Sequence, residues 1–261
     1  MDIDNEIIET IAEILARSKN NVVVTGAGIS TEAGIPDFRG EGGIYQTLGE
    51  DRVVRILNID FFKRNPRDFY DFYRKYLMFP SVEPSLSHRV LADMEKKGYI
   101  KAIVTQNIDN LHQRAGSRRV IAVHGNAERY ICTNPRCSKT YDAEYIKSLD
   151  DVVPGCAVCG SVLKPDVVLF GEPIQNYTFA RDTILNADVL IVIGSSLTVY
   201  PIAGFVSEFA RTGRDLIIIN KGRTSMDHLA SVKLDTKQTG LVLKEINNLL
   251  SVKFKGGSFG E

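Results

Sequence analysis

A chain of 261 residues can bury a substantial core, as one large α/β domain or a large domain joined to a small one. Its 32 lysines and arginines balance 32 aspartates and glutamates, which argues against a global basic field for nucleic acid and against an acidic, disordered chain. The cysteines number only 4 and fall close together, a pattern of metal binding rather than of a disulfide scaffold.

The first residues, Met1-Asp2-Ile3-Asp4-Asn5-Glu6, are acidic and lack the basic-then-apolar order of a signal peptide. No apolar run approaches the ~20 residues needed to span a bilayer, so a cytoplasmic protein without a membrane partner is expected. Ile7, Ile8, Ile11, Ile14 and Leu15 recur at helical spacing and predict an amphipathic first helix. Val22-Val23-Val24 is short, apolar and β-branched, and predicts a buried strand.

The strand runs into Thr25-Gly26-Ala27-Gly28-Ile29-Ser30-Thr31. Such a turn before a helix either cradles phosphate on free N–H groups or is simply a tight connection. A full dinucleotide fingerprint would have a third glycine where Thr31 stands. Gly34 to Gly43 is rich in glycine and charge, with Asp37-Phe38-Arg39 at its centre. It predicts a lid, in which Phe38 covers a flat ring and Arg39 meets phosphate or carboxylate. Residues 59 to 79 carry aromatics at helical spacing, broken at Asn65-Pro66, and read mainly as core packing.

Ser87 to Lys97 predicts another helix, and Ile100 to Val104 a second buried strand. That strand delivers Gln106-Asn107-Ile108-Asp109-Asn110-Leu111-His112 at its C-terminal end, where ligands bind in open parallel sheets. Arg118-Arg119 reads as a solvated turn before Val123-His124-Gly125-Asn126. Cys132 and Cys137 are then followed, with 18 residues between the pairs, by Cys156 and Cys159. Two thiolate pairs on turns can close a tetrahedron around one zinc ion, and four thiolates leave no open position, so the site reads as structural. Asp188 to Ile193 and Asp215 to Ile219 are further buried strands, ending in Gly194-Ser195-Ser196 and Asn220-Lys221-Gly222. Pro201 starts a helix. Leu241 to Leu250 is the last one, and the tail from Lys255 to Glu261 reads as loosely ordered.

Strands alternating with helices predict an α/β fold with a doubly wound parallel, Rossmann-like sheet. Residues 1–34, 81–125 and 173–252 are expected to form it. Residues 35–80 and 126–172 are expected to form a smaller zinc-binding and helical domain, with 253–261 a flexible tail.

With these motifs in order, the chain resembles the sirtuin family of NAD-dependent protein-lysine deacylases from Thr25 to the final helix. The resemblance rests on Gly-Ala-Gly-Ile-Ser, Pro-Asp-Phe-Arg, Thr-Gln-Asn-Ile-Asp-x-Leu-His, His-Gly-Asn and Gly-Ser-Ser-Leu-x-Val-Tyr-Pro. It implies NAD as co-substrate. Gly26, Ala27, Gly28 and Thr31 would lie at the diphosphate, with Asp37, Phe38 and Arg39 on the loop above. Gln106 and His124 would meet the nicotinamide ribose, Asn107 the ribose and a water, and Ile108 and Asp109 the carboxamide. Gly194, Ser195, Ser196, Asn220 and Lys221 would surround the adenosine half, with Gly240 near adenine. Val168, Phe170 and Val199 would flank the acyl-lysine, the peptide adding as a strand between Gly171-Glu172 and Val199-Tyr200. His124 would be the general base, helped by Asn107, in transferring the acyl group to ADP-ribose with release of nicotinamide. His112 would be structural. The partners implied are acyl-lysine proteins or peptides. Mono-ADP-ribosyl transfer from the same site is the alternative activity. Members that remove succinyl or malonyl groups carry a Tyr-x-x-Arg pair; here Asp71 precedes Arg74 at that spacing, which favours acetyl or longer apolar acyl groups.

Overall fold

The computed structural model describes residues 5–79, 81–149 and 151–253. The tail expectation therefore lies almost wholly outside the described residues. In chain order the strands are β1 (Asn21–Thr25), β2 (Ala102–Thr105), β3 (Val120–Ala122), β4 (Gly125–Cys132), β5 (Thr140–Asp142), β6 (Leu163–Val167), β7 (Val189–Ile193), β8 (Asp215–Ile219) and β9 (Val232–Leu234). Six of them make a parallel sheet in the order β3-β2-β1-β7-β8-β9. The other three pair antiparallel in the order β5-β4-β6.

The four central strands are β-branched or leucine-rich because both faces are covered. Val23, Ile103, Ile191 and Ile217 point into a core closed by helices Asn5–Arg17, Leu86–Lys96 and Thr239–Lys253. Val22, Val24, Val104, Leu190 and Ile218 point the other way, onto Tyr177–Leu185 and Ile202–Ala210. This two-residue alternation, buried on either side, makes the three-layer doubly wound sheet. The short edge strands β3 and β9 are additions to the sequence reading. Arg118-Arg119 is also more than a solvated turn: both backbone N–H groups donate to the Glu95 carboxylate, at 2.9 and 2.8 Å, tying the start of β3 to a helix.

The aromatic stripe forms a separate core with the cysteine-bearing sheet. Helices Ile59–Arg64 and Pro66–Tyr76 break at Asn65, as the sequence predicts. Phe62, Phe69, Tyr70 and Tyr73 pack with Tyr130, Leu163 and Val167. Phe69 stacks on Tyr73 with centroids 5.6 Å apart, and Tyr70 Oη donates to the Leu163 carbonyl at 2.5 Å. Each aromatic pair adds about 0.5–1.5 kcal/mol beyond burial, so the stripe is spent on packing. No helix among the described residues is long and apolar enough to cross a membrane.

Strand β1 is the switch point, since the chain continues to β2 on one side and β7 on the other. The polar turns after β1, β2, β7 and β8 all open at the same sheet edge, where a doubly wound fold binds ligands.

Candidate active site

A cleft of about 740 Å³ lies over those strand ends. Every residue assigned above to cofactor or substrate lines it except Gly240. Gly240 instead lies inside the last helix, which begins two residues earlier than expected, and its N–H donates to Glu32 Oε1 at 2.7 Å. Thr236, Lys237 and Thr239 line that end of the cleft.

The turn after β1 continues as a 3-10 helix, Ala27–Ala33, rather than the α-helix a dinucleotide fingerprint implies. Its glycines serve the protein first. Gly26 and Gly28 give their N–H groups to the carbonyls of Ile193 and Gly194, at 3.0 and 2.9 Å. A Cβ on Gly26 would lie 2.8 Å from the Gly194 oxygen, and one on Gly28 would lie 2.8 Å from the Gly194 Cα. The turns after β1 and β7 are therefore locked together, a bare backbone cradle that fits a ligand as bulky as a dinucleotide lying against it.

After β2, a buried hydroxyl that the sequence reading passed over organises the polar cluster. Ser30 Oγ donates to Asp109 Oδ2 at 2.7 Å and accepts from Asn107 Nδ2 at 3.1 Å. Asp109 Oδ1 accepts the Leu111 N–H at 3.0 Å, so both carboxylate oxygens already have protein partners. Ser30 stands in the quoted glycine-rich turn, but its partners lie 77 and 79 residues further along the chain, so its role emerges only in the fold. Gln106 Oε1 accepts from Ser195 Oγ at 3.0 Å, linking the β2 and β7 turns.

His124 enters the cleft just before β4. Its Nδ1 is 2.8 Å from the Gln106 carbonyl oxygen. A carbonyl only accepts, so Nδ1 carries the proton, and in the neutral ring Nε2 keeps its lone pair. No hydrogen bond among the described residues engages Nε2. Burial pushes the pKa below the ordinary imidazole value, against the smaller upward pull of the Gln106 bond. That tautomer is the one a general base requires.

On the loop above, Asp37 Oδ1 accepts the Gly40 N–H at 2.7 Å and shapes the turn. Phe38 packs edge-on against Tyr45, 5.3 Å between centroids, and Arg39 lies 4.8 Å from the Tyr45 ring while pairing with Glu50 at 2.8 Å. Glu41 reaches across the cleft to Lys221 at 3.0 Å and Lys237 at 3.5 Å. Arg39 and Lys221, read as ligand contacts, thus have protein partners here.

His112 is fully buried, as a structural residue should be. Its Nε2 is 2.9 Å from Thr25 Oγ1, which donates to Thr105 Oγ1 at 2.8 Å. His88, unassigned from sequence, packs against it with ring centroids 4.8 Å apart.

The four cysteines converge as their spacing predicts. All Sγ atoms lie within 4.8 Å of one another, with Cys132 to Cys159 at 3.5 Å and Cys137 to Cys156 at 3.7 Å. A tetrahedron of Zn–S bonds near 2.3 Å has edges of about 3.8 Å, so the cage fits one zinc ion.

A cleft across the switch point of a doubly wound sheet, beside a four-thiolate lobe, defines a Rossmann-like protein with a structural metal module. The Sir2 family profile matches residues 26–201, and the chain belongs to that family. It is 43% identical over 231 residues to an NAD-dependent protein deacetylase of Clostridium tetani, covering 87% of this chain and 92% of that protein. It is 41% identical to the NAD-dependent protein deacylase 2 of Archaeoglobus fulgidus, covering 94% and 98%. Among solved structures, a Sir2 with a deacetylated p53 peptide and 3'-O-acetyl-ADP-ribose superposes with a TM-score of 0.84 at 40% identity, covering 94% of this chain and 97% of that one. A Sir2 with p53 peptide and NAD gives 0.80 at 39%, covering 96% and 98%.

Proposed function

We propose that this protein is an NAD-dependent protein-lysine deacetylase, which transfers the acetyl group of a modified lysine to ADP-ribose and releases nicotinamide. The observation that carries the reading is His124, with Nδ1 held by the Gln106 carbonyl and Nε2 left to take a proton in the cleft. NAD supplies the ribose that becomes the acyl acceptor. The chain's residues do the rest. Ser30, Asn107 and Asp109 hold the nicotinamide end. The locked turns at Gly26 to Gly28 and Gly194 to Ser196 receive the diphosphate and ribose. Asn220, with Thr236 and Thr239, faces adenosine. Val168, Phe170 and Val199 enclose the acyl-lysine, and Gly171-Glu172 pairs with its backbone. Residues 35–80 and 126–172 are proposed as the small domain, 1–34, 81–125 and 173–252 as the large one, and the cytoplasm as the compartment, where zinc-binding thiolates stay reduced.

Acetyl or longer apolar acyl groups are proposed because the acyl wall is apolar. Arg74 does not line the cleft; its guanidinium donates to the Asp151 carbonyl at 3.0 Å. Incubating acetyl-, myristoyl- and succinyl-lysine peptides with NAD, followed by mass spectrometry, tests both points. Loss of acetyl with formation of O-acetyl-ADP-ribose supports the reading. A peptide that instead gains ADP-ribose indicates the mono-ADP-ribosyltransferase, and preferred removal of succinyl overturns the acyl assignment.

A further inference from the structure

The segment from Lys164 to Gln175 leaves β6, runs along the cleft through Val168, Phe170 and Glu172, and returns beside His124. Two side-chain closures hold it. Lys164 Nζ pairs with Glu172 Oε2 at 2.9 Å, and that oxygen also accepts the Leu169 N–H at 2.9 Å. Further along, Gln175 Nε2 donates to Asp166 Oδ1 at 2.9 Å. Asp166 is only 6% exposed, the sole buried carboxylate among the described residues. Its other oxygen takes both Nε and Nη2 of Arg129. The backbone completes the frame: the Val168 N–H donates to the His124 carbonyl at 2.8 Å, and the Gln175 N–H to the Val123 carbonyl at 2.9 Å.

We propose that Asp166 and Gln175 are positioning residues for the acyl-lysine substrate. Together with Lys164 and Glu172 they close this segment into a preformed rim, so that ordering it costs nothing when a peptide binds. The proposal rests on the deacetylase reading for the identity of the ligand. Its physical basis is separate. A buried carboxylate must have its acceptor sites filled, and here they are filled by Gln175 at the far end of the rim and by Arg129 of the neighbouring strand β4. A loop ordered in advance spares the entropy that a floppy one loses on binding, and the saving appears as peptide affinity.

The test compares Gln175→Leu, Lys164→Met and the double variant with the unaltered protein. Opening one closure is expected to raise the KM for an acetyl-lysine peptide about tenfold, the scale of one hydrogen bond to a charged group. The KM for NAD and the kcat at saturating peptide are expected to stay within about twofold. Gln175→His, which can still donate to Asp166, should restore part of the loss. Equal rises in both KM values, or a kcat loss at unchanged peptide KM, overturn the proposal. Amide exchange of Val168 to Gln175 is the second readout. It should speed up in both single variants and slow again on adding peptide. If the unaltered protein fails to deacetylate, the functional reading fails by itself, while unaltered exchange in the variants would still refute the closures.

Discussion

The Nδ1 atom of His124 sits 2.8 Å from the main-chain oxygen of Gln106, and this contact fixes which ring nitrogen is free for chemistry. Replacing His124 by alanine should lower kcat by about 10²–10⁴ while peptide binding persists. The pH dependence has a definite sign. The base works only when neutral, and burial lowers its pKa below 6.5. The acid limb of kcat/KM, which reports the ligand-free enzyme, should therefore be centred below pH 6.5, with the rate falling as pH falls through it. A limb centred above 6.5 would contradict the geometry.

The paired rings of His88 and His112 predict a stability effect. Burial lowers their folded-state pKa values, to about 4 and about 3, from an ordinary 6.5. Glu32 and Asp109 pull His88 upward and Arg89 pulls it down, but burial prevails. Below pH 6.5 the unfolded chain binds more protons than the native one. Stability from these rings is complete above 6.5 and is lost as pH falls, at up to about 1.4 kcal/mol per pH unit per ring. Urea midpoints measured from pH 6.5 down to 5, above most carboxylate titration, should decline. Replacing both histidines should flatten the slope.

Ser30→Ala removes the hydroxyl shared by Asn107 and Asp109. An unsatisfied Asp109 oxygen and a loosened amide should raise the KM for NAD about tenfold with little change in melting temperature. An unchanged NAD KM would mean that the bridge has no part in holding the cofactor.

Gly125 has φ +89°, and a Cβ there would lie 2.0 Å from the Asp166 carbonyl oxygen. Gly125→Ala should cost about 2 kcal/mol or more, since both the backbone and its neighbour must shift. Gly213 also has positive φ, at +75°, but meets nothing within 4 Å, so Gly213→Ala should be milder. Thermal melts of the two variants make the comparison.

The cysteine cage predicts about one zinc per chain by elemental analysis. Cys132→Ser or a strong chelator should lower the melting temperature and abolish turnover, because the fold's second core is built around these strands. A metal-free chain of full stability would refute a structural role.

What the sequence made legible follows from burial on both faces. Runs such as Val22–Val24 and Leu216–Ile219 have no other plausible home than a central parallel strand, and cysteine spacing is a chemical signature. β3 and β9 are three residues each, too short for a period-two pattern to emerge. The Ser30 hydrogen bond to Asp109, and the presence of Thr236 and Thr239 rather than Gly240 on the cleft wall, depend on how one turn faces another, which only the assembled fold defines. The same holds for Asp166: in the sequence it is one polar residue in an apolar run, and in the fold it joins three segments.

Strand β4 runs from Gly125, next to the base, to Cys132 in the metal cage. The eight residues reach roughly 25 Å, with a bulge between Asn126 and Tyr130 taking up part of the span. A zinc ion in the cage would therefore lie too far from His124 to touch a group bound there, yet it would anchor the far end of the beam whose near end follows the imidazole. Damage to the cage should act as a mechanical fault, misaiming a chemically intact histidine while the parallel sheet beneath still stands.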